Sequence, residues 1–412
     1  MRLAAVLAIL ILAATAQDET AFSAVQLDGK PLRDITARSV TAHGVYVTRG
    51  SGEASSIWFI NSRGPQRIEL DGPSTLWDFH AACSFWTGSA LPGAWATVKT
   101  DDGERVVSLT DGKATIVTTP DGKPLTGVRL RAASESLCAV VTRHEGLDRV
   151  WKLKGASAEA MPLEARYSRG ATRLVAAGAR LLLYTREQNS PDGDNRRLLA
   201  TRDNQFKAVM EGDEPVRDEP TMLDGSMRFE IALVGTTRLW RGGETDALLT
   251  VPPDTRVVNA VVRDGAAWAD LALTAARRRV AREVEGKLVE FRREEKQPVV
   301  NESLFVNGQV FSCGGGQCWE QLPDGKRRRL TFDDEALPYL QYTAGGRVTL
   351  VTGYQYLAPA VFALRDGELV AIPAPFETRP KAHFPAVTDE GAYLFASDDN
   401  KVWRVYRMPL AD

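Results

Sequence analysis

Short runs of apolar, β-branched and aromatic residues alternate with turn-forming pairs along almost the whole chain, the pattern of many short strands. One run recurs in register: an apolar residue beside Trp or another large apolar side chain. It is found at Ile57-Trp58, Val106-Val107, Val150-Trp151, Leu198-Leu199, Leu239-Trp240, Val280, Cys318-Trp319, Val361-Phe362 and Val402-Trp403. From Trp58 to Trp403 the intervals average about 43 residues, the length of a four-stranded propeller blade.

Opened up, each unit repeats one order of elements. An apolar stretch ends in a tight-turn pair such as His43-Gly44, Asp224-Gly225, Asp264-Gly265, Asn307-Gly308, Gly345-Gly346 or Glu390-Gly391. Most of these pairs supply the positive φ of two-residue hairpins. The run that follows, as in Val45-Tyr-Val-Thr48 or Tyr393-Leu-Phe-Ala-Ser397, reads as a second strand. The Trp-bearing run is then the third, and Gln66 to Leu70, Ala114 to Val117 and Glu368 to Ile372 are fourth strands. After Val402 to Tyr406 the last unit has no clear fourth strand. Phe22-Ser-Ala-Val-Gln-Leu27 followed by Asp28-Gly29 matches the fourth-strand ending Ile68-Glu-Leu70-Asp71-Gly72. The expectation is an all-β chain: a single β-propeller of eight to nine four-stranded blades, closed by the N-terminal strand pairing with the last blade, which leaves no exposed sheet edge.

The count turns on Leu271 to Leu288, rich in Ala and Arg, with apolar residues at 273, 276, 280, 284 and 288. Local propensity favours a helix and eight blades. The repeat phase favours a hairpin turning at Glu285-Gly286-Lys287 and nine blades, and is preferred because tertiary context overrides propensity.

At the N-terminus, Arg2, the apolar run Leu3 to Leu12 and the small-residue site Ala14-Thr15-Ala16 read as a signal peptide over residues 1–16, with the propeller over 17–412. The apolar run is too short to span a bilayer. A periplasmic or secreted monomer without a membrane span is expected. The 412 residues carry a net charge of -2 with interspersed signs, which argues against nucleic acid as partner. The dense basic run Lys326 to Arg329 suits a solvated outer edge. Cys313 and Cys318 bracket a Gly-rich turn and are expected to form a disulfide, while Cys83 and Cys138 pair or stay reduced.

Val387 to Met408 resembles one repeat of the TolB-type, WD40-like propeller superfamily, and so does Arg328-Arg-Leu-Thr-Phe-Asp333. The resemblance implies a propeller with a periplasmic or secreted scaffold role and brings no catalytic residues. The superfamily's Ser-Pro-Asp-Gly turn occurs here once, at Ser190 to Gly193. No G-x-S-x-G elbow, Walker or dinucleotide Gly loop or sialidase Asp box occurs.

Four His, at 43, 80, 144 and 383, show no metal-ligand spacing, so no metal or cofactor is expected. Asn189 to Asn195 offers oxygen ligands, notably Asp192 and Asp194, without the bidentate Glu of a calcium loop. Candidate binding residues fall where one unit's fourth strand leads to the next unit's first, since loops on a rigid scaffold gather function. They are Trp77, Asp78, Arg129, Arg173, Glu219, Asn301, Glu302, Tyr339, Tyr342 and His383, with Arg256 beside them; His80 and His383 also read as innermost-strand residues that would line the central channel. Aromatic and Arg side chains mixed with carboxylates suit a protein or peptide, or a glycan. The leading expectation is a non-catalytic binding or scaffolding propeller. Its rivals are a polysaccharide hydrolase or lyase using Asp78, Glu219 or Glu302 as acid and base, and a purely structural envelope domain.

Overall fold

The computed structural model describes residues 21–50, 55–70, 75–79, 91–101, 103–190, 194–223, 229–263, 265–274, 277–290, 302–306, 309–314, 317–322, 326–332, 335–336, 340–345, 347–355, 358–365, 368–372, 382–397 and 402–410. Among them the chain is all-β, with helix confined to one 3-10 turn at Ala165–Tyr167. No described helix is long and apolar enough to cross a membrane. The proposed signal peptide, residues 1–16, lies outside the described residues.

Four-stranded antiparallel meanders follow one another along the chain. The first sheet runs from Ile35–Thr41 to Gly64–Arg67, the second from Thr75–Phe79 to Lys113–Ile116, the third from Val128–Ala133 to Ser157–Met161, and the fourth from Arg173–Ala177 to Gln205–Ala208. Pro220–Thr221 to Ala247–Thr250 is the fifth and Arg256–Arg263 to Lys287–Glu290 the sixth; one parallel pairing, Thr250 with Lys287, merges these two into an eight-stranded sheet. The seventh spans Glu302–Val306 to Arg327–Arg329 and the eighth Leu340–Ala344 to Glu368–Ile372. The ninth holds Ala382–Val387, Ala392–Ser397 and Trp403–Met408, and its outer strand is Ser23–Ala24, with Ser23 opposite Arg407 and Ala24 opposite Tyr406. Every Trp-bearing anchor run falls on the third strand of its sheet.

Successive sheets pack face to face, so their middle strands are buried on both sides and read as continuous apolar runs. Strand Ala392–Ser397 is buried at every position. The pleat divides the fourth sheet between its neighbours: Leu174 and Ala176 join Leu137, Ala139 and Val141 of the third, whereas Val175 and Ala177 join Ala232, Val234 and Trp240 of the fifth. The ninth sheet also packs on the first. The Arg38 guanidinium lies 4.4 Å from the Phe395 ring, the Tyr393 hydroxyl donates to the Ile60 carbonyl at 3.2 Å, and the Asp389 amide donates to the Ala42 carbonyl at 2.8 Å. First strands of consecutive sheets lie side by side, as Val128–Ala133 does with Arg173–Ala177. This is the organisation of β-propeller blades.

The Arg/Ala-rich stretch is a hairpin. Ala266–Thr274 and Arg277–Val284 pair antiparallel, and Glu285 and Gly286, both at positive φ (48° and 74°), turn the chain into Lys287–Glu290. Its arginines find partners across the sheet: Arg278 reaches the buried Asp270 at 2.8 Å, and Arg282 lies 5.4 Å from the Trp268 ring. Tertiary partners thus override the helical propensity of this segment. At the His43-Gly44 turn a side chain has no room: a Cβ on Gly44 (φ +148°) would sit 2.5 Å from the Ile60 carbonyl oxygen.

Cys313 and Cys318 face each other across a hairpin of the seventh sheet and form a disulfide. Cross-linking so short a loop removes chain entropy worth about 2 kcal/mol. Cys313→Ser with Cys318→Ser is therefore expected to lower the opening free energy of strands Gln309–Gly314 and Gln317–Gln321 by about 2 kcal/mol. Amide hydrogen exchange measures it, and unchanged protection there sinks the expectation. Cys83 lies outside the described residues; Cys138 is a buried free thiol.

Candidate functional site

Five of the first strands begin irregularly. Register shifts place an extra residue at Thr36, Trp77, Arg129, Val258 and Gln341, each near the start of a first strand. Such bulges re-aim side chains and lengthen the strand at its entry. Residues expected in connecting loops belong to the strands themselves, in bulged strands and in regular ones alike. Trp77 and Asp78 lie in Thr75–Phe79, Arg129 in Val128–Ala133, Arg173 and Arg256 at the first positions of theirs, Glu302 in Glu302–Val306, Tyr342 in Leu340–Ala344 and His383 in Ala382–Val387. Glu219 alone of the described candidates sits in a connection, just before Pro220. His80, Asn301 and Tyr339 lie outside the described residues, as do the side chains of Trp77, Asp78, Glu302, Tyr342 and His383.

Arg129 has a structural partner. The carboxylate of Asp148, whose side chain is fully buried, accepts from Arg143 Nε at 2.9 Å and Nη2 at 3.0 Å, from Arg129 Nη1 at 3.2 Å, and from the amides of Gly170 and Ala171 at 2.8 and 2.9 Å. The node pins the third sheet to the segment leading into the fourth. Burial alone would raise the Asp148 pKa; the Arg143 hydrogen bonds, the two amides and the Arg143 charge outweigh it and hold the pKa below its ordinary 3.8.

Arg173 and Glu219 meet across neighbouring sheets at 3.4 Å, both roughly half exposed. Asp192 lies outside the described residues. The Asp194 carboxylate takes two hydrogen bonds from the Arg196 guanidinium, at 3.1 and 2.8 Å, and one from the Arg196 amide, which pull its pKa down. Among the described residues no cluster of His, Cys, Asp and Glu could hold a metal. His43 lies in its turn; His144 ends the strand Cys138–His144, and its exposed side chain is 3.6 Å from Glu145.

Beside this rim a cavity of about 450 Å³ opens between strands Val128–Ala133 and Arg173–Ala177, with Cys138 and Met222 also contributing. Burial pushes the Cys138 thiol up to about 12, so it is neutral. Arg173 is the candidate that lines the cavity; Arg131, Thr172, Cys138 and Met222 were not singled out from sequence. The alternation Val128-Arg129-Leu130-Arg131, arginines on an otherwise apolar strand, is the signal that could have marked Arg131.

No protein-family model and no curated protein matches the chain. Several solved structures are similar. A prolyl endopeptidase, from a study of inter-domain dynamics in catalysis and specificity, gives a TM-score of 0.41 at 11% identity over 92% of this chain and 53% of that one. This chain therefore spans about half of that enzyme's length. The Dos1 propeller gives 0.38 at 13% identity over 91% and 93%, and an uncharacterized protein of Listeria monocytogenes EGD-e 0.37 at 9% over 87% and 99%.

Proposed function

We propose that residues 17–412 form an exported, closed nine-bladed propeller that binds a protein or peptide, without catalysis or cofactor, on the face where its first strands begin. Residues 1–16 are its signal peptide. It works as a monomer in the periplasm or outside the cell. Nine four-stranded units, the packing of the ninth sheet on the first and the pairing of Ser23 with Arg407 support the ring. A disulfide at Cys313 and Cys318 fits an oxidising compartment.

The observation that carries the binding role is the exposed Arg173–Glu219 pair bridging two sheets beside the cavity. Exposed ion pairs contribute at most about 1 kcal/mol to stability, so this one gives the fold little reason to hold it. At the rim of a contact surface the same pair offers a donor fork and a carboxylate to a polar partner. Trp77 and Tyr339 are the aromatic anchors of that face.

Trp77→Ala with Tyr339→Ala is expected to reduce capture of partners from envelope extract by at least about tenfold, the loss typical of interface anchors. Quantitative mass spectrometry of the captured proteins, against the unaltered mature chain, measures it. Equal capture by both chains sinks the loop-face site.

A further inference from the structure

The outer hairpins of the third and fourth sheets border a cavity of about 250 Å³, at the end of the strands opposite the one where the first strands begin. One wall comes from the third sheet. Lys152 pairs with Glu159 and Val150 with Met161, and Val150 and Met161 belong to one cluster with Leu183 and Phe206 of the fourth sheet, so Lys152 and Glu159 also face that way. The other wall is the turn Asp203-Asn204, between Arg196–Arg202 and Gln205–Ala208.

That turn differs from its counterparts. Four other described hairpins turn on a positive-φ residue followed by glycine: Asp28-Gly29, Asp111-Gly112, Glu145-Gly146 and Glu285-Gly286. Asp203 and Asn204, at φ 51° and 59°, carry side chains at both positions. Glycine takes this conformation without strain and a side chain does not. Nothing inside the chain offsets the strain: among the described residues, Asp203, Asn204 and Lys152 have no hydrogen-bond or ion-pair partner.

We infer that this cavity binds one neutral sugar unit, with Asn204 and Lys152 donating to its hydroxyls, the Asp203 carboxylate accepting from them, and Met161 and Pro162 lying against the apolar face of the ring. The mixed lining decides the ligand class. An anion would meet the carboxylates of Asp203 and Glu159, and a cation would meet Lys152. An aliphatic ligand would desolvate all of these groups without replacing their water. A hydroxyl both donates and accepts, so it can satisfy amide, ammonium and carboxylate together. Glu159 is held at the wall by Lys154, 2.7 Å away. The volume lies just below that of pockets for drug-sized ligands and fits a single ring.

This site is independent of the loop face, which lies at the other end of the strands. Calorimetric titration and saturation-transfer NMR of the full mature chain test it with the methyl glycosides of glucose, galactose, mannose and N-acetylglucosamine, beside glucuronate, glucosamine and acetyl-Ala-Ala-amide. At least one neutral glycoside is expected to bind saturably and at least about tenfold tighter than the charged sugars and the peptide. Asp203→Gly with Asn204→Gly keeps the turn and should weaken that glycoside at least about tenfold, while hydrogen exchange of the Arg196–Ala208 hairpin stays protected. Lys152→Met, which retains the aliphatic stem, should weaken it as well. No saturation by any of the four neutral glycosides, preference for a charged sugar or for the peptide, or undiminished binding by either variant overturns the assignment.

Discussion

Replacing Asp148 by Ala is expected to destabilise the third and fourth sheets by about 3–5 kcal/mol, the cost of breaking a buried ion pair by removing one partner. The reason is what stays behind. Arg143 loses two charge-assisted hydrogen bonds and Arg129 one, while the amides of Gly170 and Ala171 are left without the oxygen they donate to. Each buried donor deprived of its acceptor costs about 1–3 kcal/mol. Asp148→Asn keeps the volume and one carbonyl oxygen but turns an N–H2 group toward cationic neighbours, so it should recover only part of the loss.

The pH dependence has a definite sign. The folded-state pKa of Asp148 is depressed below the ordinary 3.8, so its stabilisation is present above that value and is lost as the pH falls through the folded pKa. The unaltered chain should therefore lose stability below about pH 4 in part through this group, and Asp148→Asn should flatten that acid limb. Hydrogen exchange at Cys138–His144 and Arg173–Ala177, followed from pH 7 to pH 3, reads both effects. Unchanged protection in Asp148→Ala at pH 7 would mean that the node holds nothing together.

The sequence made the repeat visible because its cause is local. A third strand buried between two sheets needs a large apolar side chain at one fixed position, and Trp58, Trp151, Trp240, Trp319 and Trp403 mark it at a steady interval. Turn glycines were readable where positive φ leaves few residue choices, as at Gly44 and Gly265. The Arg/Ala-rich stretch was ambiguous because its partners, Asp270 and Trp268, lie on another strand, where helical propensity does not register them. Asp148 was invisible for a similar reason. In Glu145-Gly146-Leu147-Asp148 it looks like a polar residue after a turn, and Arg129, Arg143 and the amides of Gly170 and Ala171, more than twenty residues on, make it a buried node. Of the residues expected in loops, Arg129 lies at a bulge of its strand, Arg173 opens a regular strand, and Arg129 is held by Asp148. The cavity was not legible at all. It lies between two strands that the sequence separates by a whole unit, so the arginines of Val128-Arg129-Leu130-Arg131 do not by themselves reveal it.

Phe22→Asp combined with Val25→Asp is expected to release the N-terminal strand from the ninth sheet. Phe22, 2% exposed, belongs to one buried cluster with Leu350 and Val361 of the eighth sheet and Leu394 and Tyr406 of the ninth; Val25 is buried too, and its amide donates to the Val405 carbonyl at 2.9 Å. Removing a buried aromatic side chain costs about 3–5 kcal/mol, and an unpaired buried carboxylate adds several more. Few other contacts can make up the difference, since Ser23 and Ala24 supply the paired residues of the outer strand. Once that strand leaves, Trp403–Met408 becomes an edge with free N–H and C=O groups, and such edges recruit other chains. The double variant should thus exchange amides at residues 403–408 as fast as an open strand, melt at a lower temperature and form oligomers in size-exclusion chromatography. Contacts of the ninth sheet with the first, such as Tyr393 with Ile60 and Ser62 with Glu390 at 3.0 Å, remain in the variant and set the alternative: if they alone hold these two sheets together, melting and exchange will match the unaltered protein, and the N-terminal strand contributes nothing to that contact.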